Sequence, residues 1–140
     1  DTYDKIKTAY DSMIELVDYD IDAPDNQTIY SVFAAKKSVC AGYAKSFQYL
    51  MQKSGIPCMT VFGDAGGDPH AWDIVSLDGT YYYVDPTWGD PVFLNKNGEE
   101  VKDVHDIYYD YFLCGSEKIT QTHTADPDIM LPTCSVEDFV

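Results

Sequence analysis

Basic residues are scarce in this chain: nine lysines and arginines stand against 24 aspartates and glutamates, a formal charge of -15. Such a surface repels phosphate, which argues against a nucleic-acid or anionic-membrane partner. It reads as a solvated acidic face, with a preference for basic substrates as a weaker second reading. No apolar run approaches the roughly 20 residues that a membrane span requires, so no membrane insertion is expected. Internal repeats, low-complexity tracts and linkers are also absent. Asp64, Asp68, Asp90, Asp103 and Asp106 lack the spacing of an EF-hand, so they read as surface acidity. The four cysteines (Cys40, Cys58, Cys114 and Cys134) include no C-x-x-C pair, which argues against structural zinc. If Cys40 stays free to react, at most one disulfide can form among the others, and a disulfide-dense scaffold is excluded. No metal or cofactor is expected.

With 140 residues and 45% hydrophobic content, the chain fits one compact domain over residues 1–140. It starts at Asp1 with neither a Met nor a signal-type apolar segment, so it is expected to be excised from a longer polypeptide.

Tyr3, Ile6, Ala9, Tyr10, Met13, Leu16 and Val17 recur at helical spacing, which predicts an amphipathic helix over about 3–17. A loop over 18–27 follows, then a short helix over 29–36 capped by Thr28. Ser38 is the expected N-cap of the next helix, from Val39 to about Lys53, closed by Gly55 and Pro57. The period then changes. Residues 59–62 form an apolar run, 64–69 a breaker-rich loop, and 70–77 and 80–85 two strands flanking the hairpin signal Asp78-Gly79. A second hairpin is expected around Asn97-Gly98, with arms at 92–94 and 100–101. Residues 107–113 favour a strand, Ser116 caps a short helix ending near His123, and the tail from Thr124 is irregular. Helices first and strands later give an α+β domain with helices packed on an antiparallel sheet.

Cys40 then falls at the second position of a helix, where the dipole and free N–H groups favour a thiolate. Gly42 and Ala44 would keep its surroundings open to a substrate. A plain buried cysteine beside Ala44 and Phe47 is the alternative. The Asp78-Gly79 turn sets Leu77 opposite Thr80 and therefore Trp72 opposite Asp85. His70 and Asp85 become diagonal neighbours on one face, about 7–8 Å apart along the backbone and within side-chain reach. An imidazole and its orienting carboxylate need that arrangement. Taken singly, His70 could be a loop residue and Asp85 a strand-end cap before Pro86.

Val39-Cys40-Ala41-Gly42-Tyr43-Ala44 resembles the nucleophile segment of bacterial transglutaminase-like domains. Gly55-Ile56-Pro57-Cys58, with Val61 and Gly63, is similar to the stretch that follows it there. His70-Ala71-Trp72-Asp73-Ile74-Val75 resembles the family's histidine strand. Asp78-Gly79 with Tyr82-Tyr83-Val84-Asp85-Pro86-Thr87-Trp88 resembles its aspartate strand and turn. Tyr111-Phe112-Leu113 and His123 are weaker markers. Asp73 departs from the family, which more often has Asn there. On the hairpin register it faces away from His70, so little effect on the triad is expected.

The resemblance implies a papain-like core with Cys40 as nucleophile, His70 as general acid/base and Asp85 as orienting group. It also implies acyl transfer on protein or peptide amides through a thioester, resolved by water or by an amine. Hydrolysis is slightly favoured, since no feature suggests an amine-acceptor site. For the oxyanion, the Cys40 N–H is expected to act with an upstream donor, for which Tyr30 is the candidate, although packing of its short helix explains Tyr30 as well. Trp72 and Trp88 are candidate walls of the substrate cleft or core residues. By analogy with bacterial relatives the setting is extracellular or cell-surface. The alternatives are a non-catalytic protein- or cell-wall-binding module with the same fold, and a peptide-glycan amidase. The sequence gives no oligomeric state.

Overall fold

The computed structural model describes residues 1–89, 93–94, 100–101 and 107–139. Helix α1 spans Thr2–Leu16, with the Asp1 carboxylate accepting from the Asp4 N–H as N-cap. Strand β1 (Asp18–Tyr19) pairs in parallel with β2 (Lys37–Ser38), which directly precedes helix α2 (Cys40–Lys53). Strands β3 (Cys58–Ala65), β4 (Asp68–Leu77) and β5 (Thr80–Val84) form an antiparallel meander. Strands β6 (Phe93–Leu94) and β7 (Glu100–Val101) pair with each other. Strand β8 (Phe112–Cys114), one turn of helix α3 (Ser116–Ile119) and strand β9 (His123–Ala125) complete the order. The main sheet runs β8-β5-β4-β3-β9.

One face of this sheet carries the helices. Ile6, Tyr10, Met13 and Ile14 of α1 pack with Tyr43, Phe47 and Met51 of α2 over Val75, Leu77 and Val84. Each such side chain, fully buried, contributes about 1.5–3 kcal/mol. The opposite face buries Val61, Trp72 and Ile74 beneath Leu131 and Cys134 of the C-terminal tail. Alternation along β4 therefore sends Ala71, Asp73 and Val75 toward the helices, and Trp72 and Ile74 toward the tail. All four cysteines are free thiols.

The α+β layering agrees with the sequence reading, and so does the Leu77–Thr80 register, closed by Asp78 and Gly79 with φ of 51° and 92°. Several local expectations do not hold. The short helix over 29–36 does form, helical over 29–35, but it passes into a π-helical turn at Ser31–Ala35, and Thr28 does not cap it, because its hydroxyl donates back to Asp25 O at 2.7 Å. Ser38 does not cap α2. Its hydroxyl is drawn into a buried cluster, donating to Asn26 O at 2.8 Å and meeting Ser31 Oγ at 2.8 Å, so Val39 is the cap residue. The expected loop over 64–69 is a tight hairpin, since Gly66 and Gly67 both adopt positive φ and let β3 and β4 run to the turn. Of 107–113, only the end is strand. Gly115, not Ser116, precedes α3, and His123 opens a strand because it pairs with Ala65. The arms around Asn97-Gly98 pair as Phe93 with Val101 and Leu94 with Glu100, while residues 95–99, and with them the turn, lie outside the described residues.

Candidate active site

Cys40 is the first residue of α2, one position earlier than the sequence suggested. The correction leaves it in the turn whose N–H groups have no intrahelical acceptor. Its sulfur accepts from the backbone N–H groups of Ala41 and Ala71 and hydrogen-bonds to His70. Burial alone would push the thiol up. The His70 hydrogen bond and charge, with the two N–H groups, outweigh it and hold Cys40 below the ordinary thiol range.

Gly42 and Ala44 do not open this surface, as both are buried. A Cβ on Gly42 would strike Ser38 Oγ and lie 2.7 Å from Asn26 O, so Gly42 exists to let α2 approach the loop before it. Ala44 packs with Ala41 and Ala71.

His70 comes from β4 and Asp85 from the residue after β5, where the Asp85 N–H donates to Tyr111 O at 2.8 Å. His70 Nε2 lies 2.7 Å from Asp85 Oδ2, which leaves Nδ1 for Cys40. Burial would lower the imidazole. The hydrogen bonds from Asp85 and Cys40 outweigh it and raise His70 to about 9. Asp85 is 0% exposed. Burial would raise its carboxyl, yet the hydrogen bonds and charges of His123 and His70 hold it below the usual carboxylate range. The Trp88 N–H adds a donor to Oδ1 at 3.1 Å.

His123 had no partner that the sequence could reveal. Its Nε2 stands 2.7 Å from the same Oδ2, and its Nδ1 2.8 Å from Thr122 Oγ1. The sole hint was its place in the family-like C-terminal block. His105 lies outside the described residues.

His70, Asp85 and His123 offer three donor atoms within 4.8 Å of one another, the grouping among the described residues that could hold a metal ion. The spacing suits protons better. Ligands at about 2.0–2.1 Å around a tetrahedral ion sit roughly 3.3 Å apart. Both nitrogen–oxygen separations here are 2.7 Å, the length of a charge-assisted hydrogen bond.

The remaining expected residues are distributed unevenly. Trp88 is half-buried, its ring 5.9 Å from that of His70, 4.5 Å from His123 and 4.9 Å from Tyr111. Trp72 is 1% exposed and stacks 6.1 Å from His70 on the tail side of the sheet, so it backs the site as core instead of walling a cleft. Tyr30 precedes the π-helical turn and is 62% exposed. A different tyrosine lies within electrostatic range of the thiol. Tyr19, paired with Ser38 in the β1–β2 ladder, has its phenol raised by burial and then by the negative charges of Cys40 and Asp85.

The sequence profile of the transglutaminase-like superfamily matches residues 1–86, well over half of the chain and inclusive of Cys40, His70 and Asp85. The chain belongs to the transglutaminase-like superfamily. Kyphoscoliosis peptidase of Homo sapiens is 34% identical over the aligned stretch, and that of Mus musculus 32%. Each alignment covers 52% of this chain and 14% of the peptidase, so the chain spans about one-seventh of these relatives. Among solved structures, a TGase superposes with a TM-score of 0.55 at 23% identity, over 61% of this chain and 26% of that one. A Cytophaga hutchinsonii protein solved as a candidate cysteine protease gives 0.55 at 23%, over 61% and 31%. The periplasmic domain of TgpA from Pseudomonas aeruginosa gives 0.53 at 20%, over 63% and 37%. These likenesses establish the fold. This transglutaminase-like domain thus has the papain-like α+β core, with Cys40 at a helix start.

Proposed function

We propose that this domain is a thiol enzyme that transfers acyl groups from protein or peptide amides, with Cys40 as nucleophile, His70 as general acid/base and Asp85 as orienting group. The observation that carries the reading is an imidazole 2.7 Å from a buried carboxylate, with the Cys40 thiol near enough to that imidazole for each to shift the other's proton affinity. In this reading the Cys40 thiolate attacks the amide carbonyl, and its electron pair forms the C–S bond. His70 gives its proton to the departing amine as the C–N bond breaks, leaving a thioester. His70 then takes a proton from water, the hydroxide forms the acid, and the thiolate is regenerated. An incoming amine in place of water gives transamidation. The first-turn N–H of Cys40 supports the oxyanion. Tyr19, the phenol that shares the neighbourhood of the thiolate, is the second donor in this reading, and the exposed Tyr30 is not.

Hydrolysis is favoured over transamidation by the peptidase and cysteine-protease descriptions of two of the similar proteins. An extracytoplasmic setting has a single support, the periplasmic domain among the structural neighbours. The described residues include no helix long and apolar enough to cross a membrane.

The test begins with iodoacetamide at about pH 6, where ordinary thiols are protonated and Cys40 should react far faster than the other three. Equal labelling of all four cysteines defeats the activated thiol. A peptide and protein substrate screen with and without a primary amine, read by mass spectrometry, then separates cleavage from amine incorporation. Neither product would leave a binding module with this fold as the better account.

A further inference from the structure

We infer that His123 is a positioning residue of the site, a second imidazole that locks Asp85 in the orientation His70 requires. The inference rests on the reading of Cys40 as an activated thiol and extends it to a residue outside the triad.

The geometry is unusual in having two imidazoles converge on one carboxylate oxygen. His70 Nε2 and His123 Nε2 are both 2.7 Å from Asp85 Oδ2. An ionised carboxylate oxygen only accepts, so each of these nitrogens carries a proton. Thr122 fixes the other end of His123. Its hydroxyl has one proton, and its contact with His123 Nδ1, at 2.8 Å, is much shorter than those to Ile119 O and Tyr111 Oη, both 3.4 Å. The hydroxyl therefore donates to Nδ1, and His123 is held as the Nε2–H tautomer that Asp85 needs. Packing holds the ring as well. Trp72 lies edge-on at 4.8 Å, with Trp88 at 4.5 Å and Tyr111 at 5.4 Å between centroids. The His123 side chain is 0% exposed, so water cannot replace its hydrogen bond.

The consequence concerns which oxygen faces His70. The Trp88 N–H occupies Oδ1, and His70 and His123 divide Oδ2. Removing His123 leaves a lone pair of a fully buried carboxylate unsatisfied, which favours its protonation or rotation. Either event weakens its hold on His70 and hence the imidazolium beside the Cys40 thiolate. The other titratable groups facing Asp85 are Tyr10 from α1, Tyr19 from β1, Asp73 from β4 and Cys114 from β8. Burial raises all four, Cys114 to about 12, so the three tyrosine and cysteine groups stay neutral over the working range and Asp73 is pushed toward its neutral form. The His70 imidazolium and the Nε2–H of His123 are, among the described side chains, the donors that hold Asp85.

The test compares His123→Phe, which keeps a ring and loses the donor, with His123→Gln, which keeps an N–H near Nε2 and loses the ring. Positioning predicts that His123→Phe lowers kcat/KM by about 10–100-fold and moves the acid limb of Cys40 alkylation to higher pH by about one pH unit. His123→Gln should restore both to near wild type. The opposite order, with Phe active and Gln impaired, means that His123 merely packs and overturns the proposal. If His123→Phe does not fold, Thr122→Val takes its place, with a smaller shift of the acid limb expected and an unchanged limb counting against the relay. Nitrogen-15 NMR of the intact domain decides the hydrogen bond without reference to turnover. A His123 Nε2–H that persists across neutral pH and is lost in Asp85→Asn supports the proposal; a His123 unaffected by Asp85→Asn overturns it. If wild-type Cys40 shows no selective alkylation, the enzyme reading falls, and the NMR result still decides His123.

Discussion

Asp73 of β4 and Asp85, the residue just after β5, are both 0% exposed, yet their surroundings drive them in opposite directions. Around Asp85 two imidazoles and the Trp88 N–H supply three donors, and the carboxylate is held ionised. Around Asp73 burial dominates and pushes the carboxyl well above its ordinary range, opposed by Thr60 and reinforced by the charge of Asp85. Thr60 has one hydroxyl proton for two acceptors, Gln48 Oε1 at 2.6 Å and Asp73 Oδ1 at 3.1 Å, and Asp73 Oδ2 has no partner. Burial therefore does not determine charge. The number of donors that the fold aims at the oxygens does.

The strongest way to break this contrast is Asp85→Asn. The amide offers His70 an N–H where an acceptor stood, which favours the wrong tautomer, and it removes the charge opposite the imidazolium. Activity on a peptide amide should fall on the order of 10³–10⁴-fold with little change in KM. Retention of more than a tenth of the activity would show that Asp85 does not orient His70. The pH dependence sharpens the same point. Rapid alkylation of Cys40 should begin below the ordinary thiol range, whereas turnover, which needs the His70 proton for the departing amine, should decline as His70 loses that proton at about 9. In Asp85→Asn the decline should come at lower pH, because the group that raises His70 is gone.

Next in size is Tyr19→Phe against Tyr30→Phe. If Tyr19 donates to the oxyanion, its loss lowers kcat by roughly 10²-fold with KM nearly unchanged. The 62% exposed Tyr30 should tolerate the same change. The reverse ranking would return the donor role to Tyr30.

The helical face pattern, the Asp78-Gly79 turn and the hairpin register were legible because each depends on residues close in sequence. A two-residue turn fixes every cross-strand pair, so the approach of His70 to Asp85 followed from counting. What escaped depends on contacts across the fold. Ser38 is a good capping residue by type, but Ser31 and Asn26 claim its hydroxyl. Tyr19 is brought within electrostatic range of the cysteine by a two-residue parallel ladder with no strand signature. His123 lies 38 positions from Asp85 and is brought to it because β9 joins the far edge of β3. Trp72 could be read as a cleft wall or as core, and the tail that decides for core had no readable pattern.

The smallest expected effect falls on stability at Asp73, and it runs in the favourable direction. A carboxyl raised on folding takes up a proton as the chain folds at any pH between its unfolded value of 3.8 and its higher folded one. Across that window the unfolded state binds fewer protons, so stability declines as pH rises, by up to about 1.4 kcal/mol per pH unit. Below 3.8 the carboxyl is neutral in both states and the penalty vanishes. Asp73→Asn removes the titration while keeping the shape. Its amide can still meet Thr60, although one polar atom stays unpartnered in place of Oδ2. The net gain at neutral pH should be about 1–2 kcal/mol, measured by urea denaturation, and should shrink toward zero near about pH 4. The same substitution in a domain already carrying Asp85→Asn should gain less, because the Asp85 charge is one of the causes that raise Asp73. Equal gains in both backgrounds would mean that the two aspartates do not sense each other and that desolvation alone sets Asp73.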